Sequence, residues 1–208
     1  MLRRPTCKKS FVVLFVGLQL VACRTAPEPS KKPNAPEEVA MLATRELNKA
    51  IDAGDRSSAE LDRLRDQLSP KIGDETLRDM LLGSYSASVK RDLTAAWYPG
   101  REARLGPKFV AEVVDKNDGK VGSLLLAFAG SFVAGGGQFS EPITEIVDAY
   151  ARYRKRFPTE SGSAISLLAY DGGEKSQIIL KEISLTGSPA ARSAAKAVLT
   201  RIKTQGKL

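Results

Sequence analysis

Residues 34–54 read NAPEEVAMLATRELNKAIDAG, and this stretch decides the fold class. Val39, Leu42, Ala43, Leu47, Ala50 and Ile51 recur at steps of three and four, which collects them on one face of an α-helix. Asn34 and Glu37 stand at capping-box spacing before that face, and Gly54 supplies the stop. Strict alternation, the mark of a half-buried strand, is absent from the stretch.

The same period continues toward the C-terminus. Ser57 and Glu60 predict a second cap, for a helix with Leu61, Leu64 and Leu68, ending near Ser69-Pro70. Further stripes are Leu77, Leu81 and Tyr85 from Asp74 onward, then Val89, Leu93 and Trp97 before Pro99-Gly100. Pro107 can open a fifth helix with Val110, Val113 and Val114. Val121, Leu124, Leu125, Phe128 and Phe132 make a sixth, ended by Gly135-Gly136-Gly137. Ile143, Ile146, Val147 and Tyr150 define a seventh, and Ile165 and Leu168 an eighth between Pro158 and Tyr170. Residues 176–185 hold Ile178-Ile179-Leu180 between Gly172-Gly173 and Gly187-Ser188, a run that suits helix or strand. Ser188-Pro189 caps a tenth helix with the face Ala191, Ala194, Ala195, Val198, Leu199 and Ile202. The chain therefore reads as all-α, with about ten helices.

Taken in pairs, these helices start near residues 36, 74, 107, 141 and 174, a spacing of about 33 to 38 residues. The last unit, SPAARSAAKAVLTRIK at 188–203, resembles the second helix of a HEAT-type repeat. That resemblance implies a stack in which each pair buries its apolar face against its neighbours. An irregular multi-helix bundle is the alternative architecture.

Composition bounds the chemistry. The 208 residues are 42% hydrophobic and 27% charged, enough apolar surface for a packed core. There is no histidine, which removes the Ser-His-Asp triad and histidine metal ligands together. The two cysteines, Cys7 and Cys23, both precede the helical body, so it contains neither a thiol nucleophile nor a cysteine metal site.

Upstream of Asn34 the order of features changes. Arg3, Arg4, Lys8 and Lys9 form a basic start, followed by the apolar run Phe11–Ala22. As a helix that run spans about 18 Å, against about 30 Å for a bilayer core, so it fits a secretory signal rather than a membrane span. Leu20-Val21-Ala22-Cys23 closes it and resembles the lipobox of bacterial lipoproteins, with Val21 where a small residue is more usual. The resemblance implies cleavage between Ala22 and Cys23, a diacylglycerol thioether on Cys23, and a further acyl group (palmitate) on the new amino terminus. Arg24 stands where an Asp marks inner-membrane retention in enterobacterial lipoproteins, so the resemblance implies the outer membrane, facing the periplasm or the cell surface. Losing the signal would halve the formal net charge from +8 to +4, which removes the main support for nucleic-acid binding. Residues 24–36, RTAPEPSKKPNAP, carry four prolines and predict an extended tether reaching about 40 Å.

Several motifs look chemical. Asp115-Lys116-Asn117-Asp118-Gly119 starts like a calcium loop, but Lys120 and Leu126 occupy the Gly and Glu positions that an EF-hand requires, so a helix–helix turn is expected. Glu160-Ser161 resembles the Glu-Ser pair of lytic transglycosylases, although the Gly-Leu-Met-Gln-type motif of that family is missing downstream. The triple glycine at 135–137 lacks the Lys and Ser/Thr of a P-loop and follows a helix, which makes it a linker. Arg152, Arg154, Lys155 and Arg156 crowd one helix end, where the macrodipole favours them. They are also candidate contacts for anionic headgroups or an acidic partner. Trp97 and Tyr98 are candidate partner anchors, with core filling at a helix end as the competing role.

The expectation is a signal peptide at 1–22, a lipidated cysteine and tether at 23–36, and an α-helical domain at 37–208. No catalytic residue, metal or cofactor is expected, nor a nucleic-acid partner. The expected partners are a membrane, through the Cys23 lipid, and an envelope protein that the body scaffolds. A carboxylate-dependent cell-wall hydrolase and a small-ligand carrier are the alternatives.

Overall fold

The computed structural model describes residues 35–158 and 164–205. Cys23, Ala22, the tether through Asn34 and the Glu160-Ser161 pair lie outside these described residues.

Pro36 opens the first helix, α1 (Pro36–Ala53), with Ala35 at the N-cap and no side-chain cap. The start falls one residue after the Asn34 cap that the sequence predicts, because proline at the first position has no amide proton to satisfy. Gly54 closes it in the left-handed conformation. The capping box of α2 (Ser58–Leu68) forms as read. Ser57 N donates to Glu60 at 2.8 Å, and Glu60 N donates to Ser57 Oγ at 3.4 Å. A 3-10 turn, Ser69–Lys71, follows, and then α3 (Asp74–Leu82) and α4 (Ala87–Trp97).

Pro107 opens the fifth helix as read, and a short helical turn from Glu102 joins it across a kink at Gly106 (φ 74°), the two together being α5 (Glu102–Lys116). A left-handed residue costs glycine little, so one turn ends there and Pro107 starts the next. After it come α6 (Gly119–Ala134), α7 (Thr144–Arg156), α8 (Ile165–Asp171), α9 (Glu174–Thr186) and α10 (Pro189–Gln205). The ambiguous run at 176–185 is helical. Ser176, Ile179, Leu180 and Ile183 are buried at helical spacing while Ile178 is 48% exposed. The described residues thus form ten α-helices with no strand, an all-α fold.

Packing follows chain order. The first helices of successive pairs, α3, α5, α7 and α9, pack side by side, as do the second helices α4, α6, α8 and α10. Pairing α3 with α4, α5 with α6, α7 with α8 and α9 with α10 joins the two layers, while α1 packs on α2, α3 and α4. Between the layers lies a core that includes Trp97, Tyr98, Phe109, Leu125, Tyr150 and Tyr153.

The close approach of α6 to α7 has a visible cause. A Cβ on Gly122 would sit 2.7 Å from a ring carbon of Tyr153. The Tyr153 hydroxyl donates to Gly119 O at 2.6 Å, so ring and hydroxyl both press on the first turn of α6.

Candidate interaction surface

The residues singled out by sequence separate into buried, paired and free groups. Trp97 and Tyr98 are 1% and 0% exposed, so the reading of them as partner anchors gives way to core filling. Trp97 Nε1 donates to Thr44 Oγ1 at 2.7 Å, tying α4 to α1. Tyr98 packs against Phe109 and Phe128, and burial pushes its hydroxyl pKa far above the usual phenol value.

The basic cluster at the end of α7 serves mostly inside the fold. Arg152 donates through Nε to Asp115 of α5 at 3.1 Å, and Arg154 donates to Glu182 of α9 at 2.9 Å. Arg156 donates to the carbonyls of Val114 and Asp115 at 2.7 and 2.8 Å, satisfying groups that the end of α5 leaves without partners. Arg78–Glu112 and Lys175–Asp148 add further pairs between neighbouring helices of this layer. Each exposed pair contributes only about 0.2–1 kcal/mol, so the ladder sets register more than stability. Lys155 is exposed beside it.

The Asp115–Gly119 segment is a helix–helix turn stitched by side chains. Asp118 caps α6, with Val121 N donating to it at 2.9 Å. Asn117 donates to Leu81 O and Val113 O and accepts from the buried Lys90 ammonium at 2.8 Å. Burial pushes the Lys90 pKa down and the Asp118 carboxylate opposes that shift. The glycines at 135–137 cap α6. Their amides donate to Ser131, Val133 and Phe132 carbonyls, which leaves no anion cradle.

A second buried cation is not legible in the sequence. Arg101 follows Pro99-Gly100, and its side chain is 5% exposed. It donates to Ile72 O at 2.8 Å, Ser69 O at 3.1 Å, Ser69 Oγ at 2.8 Å and Asp74 at 3.0 Å. These bonds clamp the 3-10 turn and the start of α3. Nothing in the local pattern marks this arginine, because its acceptors lie about thirty residues upstream. Among the described residues no three His, Cys, Asp or Glu side chains are grouped to hold a metal ion.

Exposed apolar side chains occur on α1 (Leu42, Ile51), α9 (Ile178, Leu185) and α8 (Tyr170), but the outer faces of α6 and α8 stand out by their lack of charge. From Val121 to Ser140 the sequence has no charged residue. The core takes only one side of α6, so Ala127, Ser131 and Ala134 stand exposed and Leu124 half-buried. Next to them α8 offers Ile165, Ser166, Ala169 and Tyr170, also uncharged. Its one carboxylate, Asp171, accepts from Gly173 N at 2.9 Å and Ser176 Oγ at 2.7 Å. A groove between α6, α8 and α10 is lined by Val133, Ile165, Ala169, Tyr170, Val198 and Arg201. The sequence does carry a signal for this face, a twenty-residue uncharged stretch longer than one buried helix side needs.

Among the described residues no helix is long and apolar enough to cross a membrane. No family model matches the chain, and no curated protein or solved structure matches it either.

Proposed function

We propose that this chain is a lipid-anchored protein of the bacterial outer membrane whose helical body docks an envelope protein as an assembly scaffold. The anchor reading rests on the ordered N-terminal features: basic start, apolar run and Leu20-Val21-Ala22-Cys23. The docking reading rests on one observation above all, the uncharged outer face of α6 and α8 on a chain that is 27% charged. Exposed apolar surface rimmed by polar residues marks interaction sites, and Ile165, Ala169 and Tyr170 supply such surface beside the exposed Ala and Ser side chains of α6. The helix-pair stacking, similar in plan to HEAT-type repeats, supports the same reading, since such stacks present extended binding surfaces. The Pro-rich residues 24–36 give the body about 40 Å of reach from the lipid.

Fractionation of cells expressing wild type and Cys23→Ser, with radiolabelled palmitate, tests the anchor. Wild type is expected in the membrane fraction carrying label, and the variant in the soluble fraction without it. Membrane partition of Cys23→Ser together with unlabelled wild type refutes the anchor.

A further inference from the structure

The groove between α6, α8 and α10 carries a charge asymmetry that constrains its occupant. Its floor is apolar, with Val133 at 7% exposure and Ile165, Ala169 and Val198 half-buried, and Tyr170 stands 39% exposed on its wall. Arg201, exposed at its edge, has no ion pair or side-chain hydrogen bond among the described residues, and the Tyr170 hydroxyl has none either. No acidic residue follows Glu182 in the sequence, so every charge on α10 is positive: Arg192, Lys196, Arg201 and Lys203. Asp171, the only carboxylate of α8, is already held by Gly173 and Ser176.

The groove between α1 and α4 lacks this one-sidedness, and the cations of the groove between α7 and α9 are mostly engaged. Between α1 and α4, Met41, Val89 and Leu93 are flanked by Arg45 and Asp92, which balance. Between α7 and α9, Arg154 is paired with Glu182 and Lys175 with Asp148 beside Ile178, which leaves Lys155 as the free cation of that groove among the described residues.

We propose that the α6–α8–α10 groove takes an acidic amphipathic helix of the partner protein. An aliphatic side chain of that helix seats against Ile165, Ala169 and Val198, and a carboxylate meets Arg201 and the Tyr170 hydroxyl. Ala134, Ser166 and Ala169 keep the rim low, which lets a helix backbone approach as in other helix-in-groove complexes. The carboxylate supplies the charge-assisted hydrogen bonds that a guanidinium forms best. This inference rests on the docking reading above and specifies the chemistry of the partner.

The test is selection of random 16-residue peptides displayed on phage against the purified full chain, followed by affinity measurement on the enriched peptides. Enriched peptides are expected to place aliphatic residues at helical spacing with Asp or Glu alongside. Arg201→Glu is expected to weaken their binding about 10- to 100-fold, the range of one charge-assisted hydrogen bond. Arg192 lies nine positions away, about 900° of helical rotation, hence on the opposite flank of α10. Arg192→Glu is therefore expected to leave binding within about threefold. Circular dichroism on both variants verifies that they fold. Peptides without acidic excess, no enrichment, or equal loss in the two variants would overturn the proposal. Binding of oleate that displaces enriched peptides from wild type, or a dimer of the chain that Arg201→Glu dissolves, would overturn it in favour of a lipid or a second copy. Palmitate labelling and fractionation read the anchor independently, so either reading can fail alone.

Discussion

Replacing Arg101 with alanine should detach the 3-10 turn and the start of α3 from α5. The side chain makes three hydrogen bonds to neutral acceptors, Ile72 O, Ser69 O and Ser69 Oγ, and one to the Asp74 carboxylate. At about 1 kcal/mol for each bond to a neutral acceptor and about 2 for the bond to the carboxylate, the gross loss is about 5 kcal/mol. Burying the guanidinium carries a desolvation penalty that the variant no longer bears, seen in the direction of its shift, since burial lowers the Arg101 pKa. The expected net loss is about 3 kcal/mol. Urea denaturation followed by circular dichroism measures it. With a slope of about 2 kcal/mol per molar urea, the midpoint should fall by about 1.5 M. Arg104→Ala is the control, because Arg104 pairs with the same Asp74 at 3.2 Å but is 63% exposed. Its expected cost is under about 0.5 kcal/mol. If the two variants lose the same stability, or Arg101→Ala loses less than about 1 kcal/mol, the clamp does not hold the turn.

Two further changes test local packing. Gly122→Ala would gain about 1 kcal/mol of helix propensity in an open helix, but its Cβ would lie 2.7 Å from the Tyr153 ring. Overpacking of about 2 kcal/mol should reverse the sign and destabilise by about 1 kcal/mol in the same urea assay, and a stabilised variant contradicts the close contact. Hydrogen bonds from the Ser57 hydroxyl and amide hold the Glu60 carboxyl below the usual carboxylate range. A depressed folded value means the stabilisation is complete above the ordinary glutamate value of about 4.3 and is lost as pH falls through the folded one. Hydrogen exchange should therefore show α2 losing amide protection there first, and Glu60→Gln should abolish that pH dependence.

Helix positions are legible because their signals are local. The Ser57–Glu60 box and the Ser188 cap, with Ala191 N donating to Ser188 Oγ at 3.3 Å, need only residues within one turn. The Ile178-Ile179-Leu180 run resolves as helix because packing selects Ile179 and Leu180 and leaves Ile178 out, a choice that three adjacent aliphatics cannot disclose. The Pro107 start of the main α5 helix is legible, whereas the extra turn at Glu102–Leu105, which Gly106 ends, is not. For the candidate surface, the basic run at 152–156 draws attention by density, yet three of its four members are occupied by α5 and α9 across about thirty to forty residues of sequence. Trp97 and Tyr98 draw attention by type, and tertiary packing consumes both. The α6–α8 face is the converse case. Its uncharged stretch at 121–140 is visible in the sequence, but which side of α6 stays exposed follows only from the layer that buries the other side.

Photo-crosslinking in living cells tests docking at that face most directly. A benzophenone amino acid replaces Ser166 on α8, or Lys181 on the exposed side of α9 in the other layer. Docking at α6–α8 predicts a discrete crosslinked band with an envelope protein from position 166, lost on adding Arg201→Glu, and none from position 181. The same band from both positions, or a band from 181 alone, contradicts it.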